Sequence, residues 1–380
     1  MRSSTARSAY RRAVSTENPR PDAPTSPHAA APSPAPALDR RGLAGGIGAY
    51  TLWGLLPLYF PLMAPAGAVE IIAHRIVWSL AFCALLLGVT RGWRPFLTVL
   101  RSGRTLALLT AAALLLAVNW LVFVYGILTD QVVDAALGYY INPLVVVTLA
   151  VLVLHERLRP AQWVALGFGA AAVVVIAVGY GRVPWIALTL AGSFGAYGLL
   201  KNRVGRTVTA VPGLAAETLV LTPLALGYLA WLHAAGLGAF GAHGTAHTLA
   251  LVGSGVVTAV PLVLFNTAAR RLPLSLVGLL QYIAPTLQLV IGVVVLHEQM
   301  PAARWWGFGL VWVALVLLAV DGARQGHVDR LARRSAAAAQ GPAATTAPQP
   351  APTGGPVDGR PAPDATGRDL SPGAPRRPAR

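Results

Sequence analysis

The run YYINPLVVVTLAVLVLHERLRPAQW, from Tyr139 to Trp163, returns as QYIAPTLQLVIGVVVLHEQMPAARW, from Gln281 to Trp305, and the two align without a gap. Tyr140 falls on Tyr282, Pro143 on Pro285, His155 and Glu156 on His297 and Glu298, and Trp163 on Trp305. Apolar runs match one another by chance, but polar and aromatic landmarks held in one register do not, so the chain carries an internal repeat. Each copy contains an apolar stretch long enough to cross a hydrocarbon core as a helix, which takes about 20 residues.

Outward from these copies, Leu43 to Val320 is a succession of such stretches, near 43–62, 71–90, 105–127, 131–154, 161–179, 183–201, 211–232, 247–269, 274–296 and 303–321. The second copy lies five spans after the first, and an odd number turns it over in the membrane. The loops agree: HERLRP carries two Arg, whereas HEQMPA carries none. The pattern predicts an all-α polytopic membrane protein with ten transmembrane helices arranged as a 5+5 inverted repeat. Secondary transporters use this architecture to alternate access, exchanging the conformations of similar halves around a site at their interface. The expected units are an N-terminal tail over 1–41, a five-helix repeat over 42–180, a second over 181–321 and a C-terminal tail over 322–380.

Composition supports a membrane chain and excludes other classes. Of 380 residues, 55% are hydrophobic and 12% charged, with a mean hydropathy of +0.59; soluble domains carry roughly 25% charged residues. A cytosolic enzyme, a secreted disulfide scaffold and a nucleic-acid-binding domain are excluded on that ground. The single Cys83 forms neither a disulfide nor a CxxC pair. The net charge of +16 divides as +4 over 1–41, +7 over 42–321 and +5 over 322–380, with no basic surface interleaved with aromatics. Both tails are rich in Pro, Ala, Ser and Thr, the composition of disordered extensions. The N-terminal tail has no short apolar stretch before a small-residue cleavage site, so the first span is expected to serve as an uncleaved anchor.

Orientation follows from the positive loops, which stay in the cytoplasm. Arg91, Arg94, Arg101 and Arg104, then Arg157 and Arg159, then Lys201, Arg203 and Arg206, then Arg270 and Arg271 fall in alternate loops, and the intervening loops hold only Arg182 and Arg304. Both termini are therefore expected in the cytoplasm. His233, His243 and His247 face outward, where solvated loop positions explain them and their spacing makes no metal motif.

Tyr139, Tyr140, Asn142 and Pro143 sit inside the fourth span, with Gln281, Tyr282 and Pro285 at the matching place in the ninth. Pro removes a backbone donor and frees the carbonyl four residues earlier, so the pair marks two locally opened helices near the midplane. Such interruptions at matching positions point to a transport site, although kinking for packing and an interhelical bond from Asn142 account for them too. Glu70, His74, Arg75 and Trp78 open the second span. Ionisable groups at that depth must pair, snorkel or line a wet cavity, and Arg75 is read as holding an anion: a substrate carboxylate, Asp134 or Glu70, with His74 modulating it. The alternative is an interfacial anchor. Glu217 and Asp134 are acids within or beside apolar segments, where the charged form is disfavoured, and both are candidates for carrying a proton; a bond from Glu217 to Lys201 or Arg203 is the structural alternative. Asn119, Trp120, Tyr125, Trp53, Tyr59 and Asn266 are candidates for an amphipathic lining suited to small organic solutes, although placement at the membrane interface also accounts for the Trp and Tyr residues, Tyr59 among them. Glu156 and Glu298 lie at helix ends, where packing and capping explain them. No catalytic cluster, cofactor motif or P-loop is present, and the HE pairs are not zinc sites, because Arg159 and Pro301 stand four residues after the His.

GIGAYTLWGLLPLYF from Gly46, EIIAHRIVWS from Glu70, NWLVFVYGI from Asn119, and ALGYYINPL from Ala136 followed by HERL resemble the RarD branch of the EamA drug/metabolite transporter family across roughly residues 43–320. The resemblance implies a ten-helix inner-membrane permease with an inverted repeat, in a branch named for chloramphenicol sensitivity or resistance and without a settled substrate. The expected function is a secondary carrier that moves a small organic metabolite or drug, outward, coupled to a proton or a counter-solute. Its partners are membrane lipid and that solute, not nucleic acid, and the oligomeric state stays open. Uptake or flipping of a lipid-linked substrate on the same fold, and a membrane sensor or scaffold acting through the tails, are the rival readings.

Overall fold

The structure, a computed structural model, describes residues 39–155, 157–204 and 208–339. Glu156, Arg206 and the tail segments 1–38 and 340–380 lie outside the described residues. Those described form helices and turns, with no strand among them.

Helix α1 (Arg40–Gly54) starts at Asp39, whose carboxylate accepts from the Gly42 amide at 2.9 Å and from Arg271 at 3.1 Å. The Gly42 amide is the largest cause holding this exposed carboxyl below its usual range, with Arg271 adding to it. At Leu55 the axis bends by 45°, and α2 (Leu56–Tyr59) and a 3-10 turn (Phe60–Met63) complete the stretch. Pro57 and Pro61 each remove a backbone donor there, so one straight helix cannot persist. Then come α3 (Ala68–Val89), α4 (Trp93–Arg101), α5 (Gly103–Leu128), α6 (Val132–Leu154), α7 (Pro160–Tyr180), α8 (Trp185–Val204), α9 (Ala210–Ala234), α10 (Gly244–Arg271), α11 (Leu274–Leu280), α12 (Ile283–Val290) and α13 (Ala302–Ala339). A π turn over Ile291–Val295 follows α12.

Among the described residues, eight helical stretches are long and apolar enough to cross a membrane, or nine if the bent pair at Leu55 is one span. The long helix outside that set is α8, which carries Lys201 and Arg203 in its last turn. Short α4 is amphipathic, with Phe96 and Val99 buried and Arg94 and Arg101 exposed. The chain divides into two units at Gly322. The first ends there. In the second, α13 stays helical to Ala339, past the expected tail boundary at 322, because Ala, Arg, Gln and Leu are strong helix formers.

Element starts keep the register of the repeat: α3 begins at Ala68 and α9 at Ala210, and α7 begins at Pro160 and α13 at Ala302, each pair spaced as Tyr139 is from Gln281. Packing follows the same correspondence. Helix α6 lies on α8 as α12 lies on α1, α5 lies on α8 as α10 lies on α1, and α10 lies on α3 as α5 lies on α9. The equivalent helices α3 and α9 pack on each other, and so do α6 and α12. Close approach depends on small residues. A Cβ on Gly255 of α10 would lie 2.3 Å from the Trp78 carbonyl carbon of α3, and one on Gly138 of α6 would lie 2.7 Å from the Ala187 carbonyl oxygen of α8.

The two copies differ at their prolines. The chain turns at Gln281 and Tyr282 between α11 and α12, with Pro285 in the first turn of α12. The opening expected at Pro143 is absent, because α6 runs unbroken from Val132 to Leu154. Pro143 still leaves the Tyr139 carbonyl without its helical donor, but side chains before it tie α6 on both sides. The Tyr139 hydroxyl donates to Asn119 Oδ1 at 3.1 Å, and the Tyr140 hydroxyl lies 2.7 Å from Thr286 Oγ1. Both copies end alike, with His155 and His297 in the left-handed region at φ 54° and 55°.

Candidate functional site

A cavity of about 430 Å³ opens among α1, α3, α5, α6, α8, α9, α10 and α12. Its walls are aromatic: Tyr50 and Trp53 from α1, Trp120 and Phe123 from α5, Tyr139 from α6, Phe194 and Tyr197 from α8, and Phe265 from α10. Among them stand three charged side chains, Arg75, Lys201 and Glu217, and the polar groups of Asn119, Asn142, Thr258, Asn266, Gln281 and Gln288.

Arg75 is 3% exposed. Its Nε donates to Thr258 Oγ1 at 2.7 Å, and its guanidinium carbon lies 4.2 Å from the Trp120 ring centroid and 5.5 Å from that of Phe60. The aromatic faces supply cation–π attraction that partly replaces water. Nη1 has no hydrogen-bond partner, and among the described residues no carboxylate is within ion-pair distance of Arg75. The acids expected to pair with it are engaged elsewhere: Glu70 accepts from the Ala239 amide at 2.7 Å, and Asp134 pairs with Arg304 at 3.1 Å.

Glu217, 2% exposed, pairs with Lys201 Nζ at 2.8 Å and accepts a bond from the Tyr197 hydroxyl. The repeat register carries Arg75 of α3 onto Glu217 of α9, so equivalent positions of two helices that pack together present opposite charges to one cavity. Asn119 donates to the Leu190 carbonyl and to Ser193 Oγ, each at 3.1 Å, which binds α5 to α8. Two acceptors in the cavity wall, Asn142 Oδ1 and Gln288 Oε1, have no partner.

Arg75, Asn119, Trp120, Asn142, Gln281, Pro285 and Glu217 thus line the cavity, as do Trp53 and Asn266. Others expected at the site lie elsewhere. His74 projects from a different side of α3, with its ring stacked on Phe240 at 4.9 Å, because one residue along a helix rotates the side chain by about 100°. Tyr140 and Tyr282 stack on each other at 6.2 Å where α6 meets α12, and Phe308 and Trp312 of α13 close against Tyr140. Tyr59 donates to the Ala250 carbonyl, and Tyr125 is exposed beside Trp185. His247 is buried rather than solvated, with Nε2 2.8 Å from the Met63 carbonyl. Tyr197, Thr258 and Gln288 complete the site and were not singled out in the sequence. Gln288 carried a signal, as a polar residue inside an apolar span of the second repeat copy.

Asp134 belongs to a separate cluster at the start of α6. Arg304 joins Asp134 at 3.1 Å and Glu298 at 3.8 Å, and its guanidinium carbon lies 4.7 Å from the Tyr180 ring centroid. Glu298 accepts from the Val132 and Val133 amides at 2.5 and 3.1 Å, so the acid at the end of the second copy caps the start of α6, the helix that carries the first. Burial pushes the Glu298 carboxyl up to about 7, against the pull of those two amides.

The EamA-like transporter family matches residues 40–178. "Protein RarD" of Streptomyces exfoliatus is 51% identical over 312 residues, covering 82% of this chain and 98% of that protein. The chain belongs to the RarD-type EamA transporters. An "Uncharacterized transporter" of Vibrio cholerae is 42% identical over 294 residues, covering 77% of this chain and 97% of that protein. One crystal structure superposes with a TM-score of 0.50 at 21% identity, covering 75% of this chain and 98% of its own, a likeness of fold alone. With its apolar helices, family membership makes this a multi-pass protein of the bacterial inner membrane.

Proposed function

We propose that this transporter is a secondary carrier that moves a small organic solute by alternating access, with the aromatic cavity as its binding site. The observation that carries this reading is the cavity itself, walled by both halves of the repeat and holding Arg75 and Glu217 at equivalent positions. Ten membrane helices in a 5+5 inverted repeat account for the matched starts of α3 and α9 and of α7 and α13, with α8 as the counterpart of α1. The positive loops support cytoplasmic termini, with α4 lying in the cytoplasmic interface as an amphipathic helix.

Transport is outward and coupled to a proton or a counter-solute, and it needs no enzyme chemistry. Glu217 is the coupling residue, because among the described residues it is the one buried acid that faces both the cavity and a cation that competes with a proton for it. Asp134, held by Arg304 away from the cavity, serves the packing of α6 instead. Tyr140 and Tyr282 form the surface on which α6 and α12 slide as the halves exchange shapes, rather than contacts to solute.

Counterflow in proteoliposomes tests the reading. Purified protein, loaded with a mixture of small organic acids, amides and amines, exchanges at least one labelled solute, and Glu217→Gln retains exchange while losing its response to a pH gradient. Absence of exchange for every solute by folded protein refutes the carrier, and pH-driven transport by Glu217→Gln refutes the coupling role.

A further inference from the structure

The charges around the cavity do not balance. Lys201 and Glu217 neutralise each other at 2.8 Å, which leaves the Arg75 guanidinium as an excess cation. A cation buried this deeply is costly unless an anion and hydrogen bonds compensate it. Its geometry is prepared for one. Nε is fixed by Thr258 and the guanidinium carbon sits 4.2 Å from the Trp120 ring centroid, while the buried Nη1 has no partner. A guanidinium held in this way presents a planar fork matched to a carboxylate. Among the residues lining the same cavity, Asn142 and Gln288 carry buried side-chain oxygens, Oδ1 and Oε1, that have no donor. The remaining wall is largely aromatic, and about 430 Å³ falls in the range of small-molecule sites.

We infer that the cavity takes a small organic monoanion: a carboxylate for Arg75 on an aromatic or similarly apolar body that also bears an N–H or O–H donor for Asn142 or Gln288. This rests on the carrier reading above and gives its solute a chemical class. A neutral solute leaves the guanidinium unpaired, a cation adds like charge beside it, and a dianion overcompensates it. Chloramphenicol, an uncharged amide, lies outside the class.

The test uses matched bodies that differ in charge. Purified full chain is titrated with 4-hydroxyphenylacetate, 4-hydroxyphenylacetamide and tyramine, and with indole-3-acetate, indole-3-acetamide and tryptamine, at constant ionic strength, with thermal stabilisation and tryptophan fluorescence as readouts. The acid of at least one series binds roughly tenfold or more tightly than its amide, equivalent to about 1.4 kcal/mol, and the amine does not bind. Arg75→Gln abolishes the preference of acid over amide, and Arg75→Lys keeps part of it. Thr258→Ala, which frees the guanidinium without removing it, weakens the acid by a larger factor than the amide and so narrows the preference, and Thr258→Ser restores it. Equal or tighter binding of amides or amines, a preference that survives Arg75→Gln, or no binding of either acid to folded protein at millimolar concentration overturns the assignment. Counterflow separates the two levels. Selective acid binding without exchange removes the carrier and keeps the anion site, whereas exchange that favours amides or amines removes the class and keeps the carrier.

Discussion

Replacing Glu298 with Gln reverses its effect on stability between acid and alkaline solution. The side chain is 3% exposed and meets the Val132 and Val133 amides at 2.5 and 3.1 Å, with Arg304 at 3.8 Å. Burial outweighs these partners and raises the carboxyl from 4.5 to about 7, so the folded protein holds this proton more tightly than the unfolded chain does. The stabilisation from that proton is complete below about 4.5 and lost as pH rises through about 7. At 1.36 kcal/mol per pH unit, the difference between 4.5 and about 7 corresponds to roughly 3 kcal/mol. Gln cannot titrate. It mimics the protonated acid, so Glu298→Gln is nearly neutral near pH 5 and more stable than the parent by roughly 3 kcal/mol near pH 8. At about 2–4 °C per kcal/mol, the melting midpoint followed by intrinsic fluorescence rises by several degrees at pH 8 and barely moves at pH 5. A variant that is less stable at pH 8 than at pH 5, relative to the parent, shows that the two amide bonds outweigh desolvation and refutes the reasoning.

Glu217→Gln leaves Lys201, in the cavity that Arg75 also lines, without its counter-charge. Because Lys201 is 29% exposed while Glu217 is 2% exposed, the expected cost of about 2–3 kcal/mol lies between those of surface and fully buried pairs. Lys201→Met in the same chain recovers part of it, as a double-mutant cycle on melting midpoints measures. Gly255→Ala forces a methyl group to within 2.3 Å of the Trp78 carbonyl carbon, which separates α3 from α10 and lowers the midpoint by the equivalent of about 1–3 kcal/mol. His297→Gly relieves a left-handed residue at φ 55° and raises the midpoint, with a gain of at most about 1–2 kcal/mol, whereas His297→Val lowers it.

The order of helices and the repeat were legible because hydropathy and polar landmarks both report on distance along the chain. Stretches near 71–90 and 161–179 became α3 and α7 almost end for end. What hydropathy does not report in a membrane is rotation about the helix axis, since lipid and protein core are equally apolar and no polar face marks the outside. Arg75 and His74 are neighbours in sequence, yet only Arg75 faces the cavity. Tyr139 and Tyr140 divide in the same way, between the site and the α6–α12 contact. The break at Gln281 could be read from Pro285, but its absence at Pro143 depends on Asn119 and Thr286, contributed by distant parts of the chain. The repeat did hold more than its landmarks disclosed, because the same register superposes Arg75 on Glu217 and so joins the two buried charges before any coordinates are known.

The unpaired guanidinium of Arg75 also has a kinetic consequence. A carrier returning empty must reorient with that cation bare, whereas one carrying an anionic cargo reorients with it neutralised. Solvation makes the empty stroke the harder of the two. On the proposed reading of an anion carrier, swapping one solute for another across the membrane therefore outruns net release.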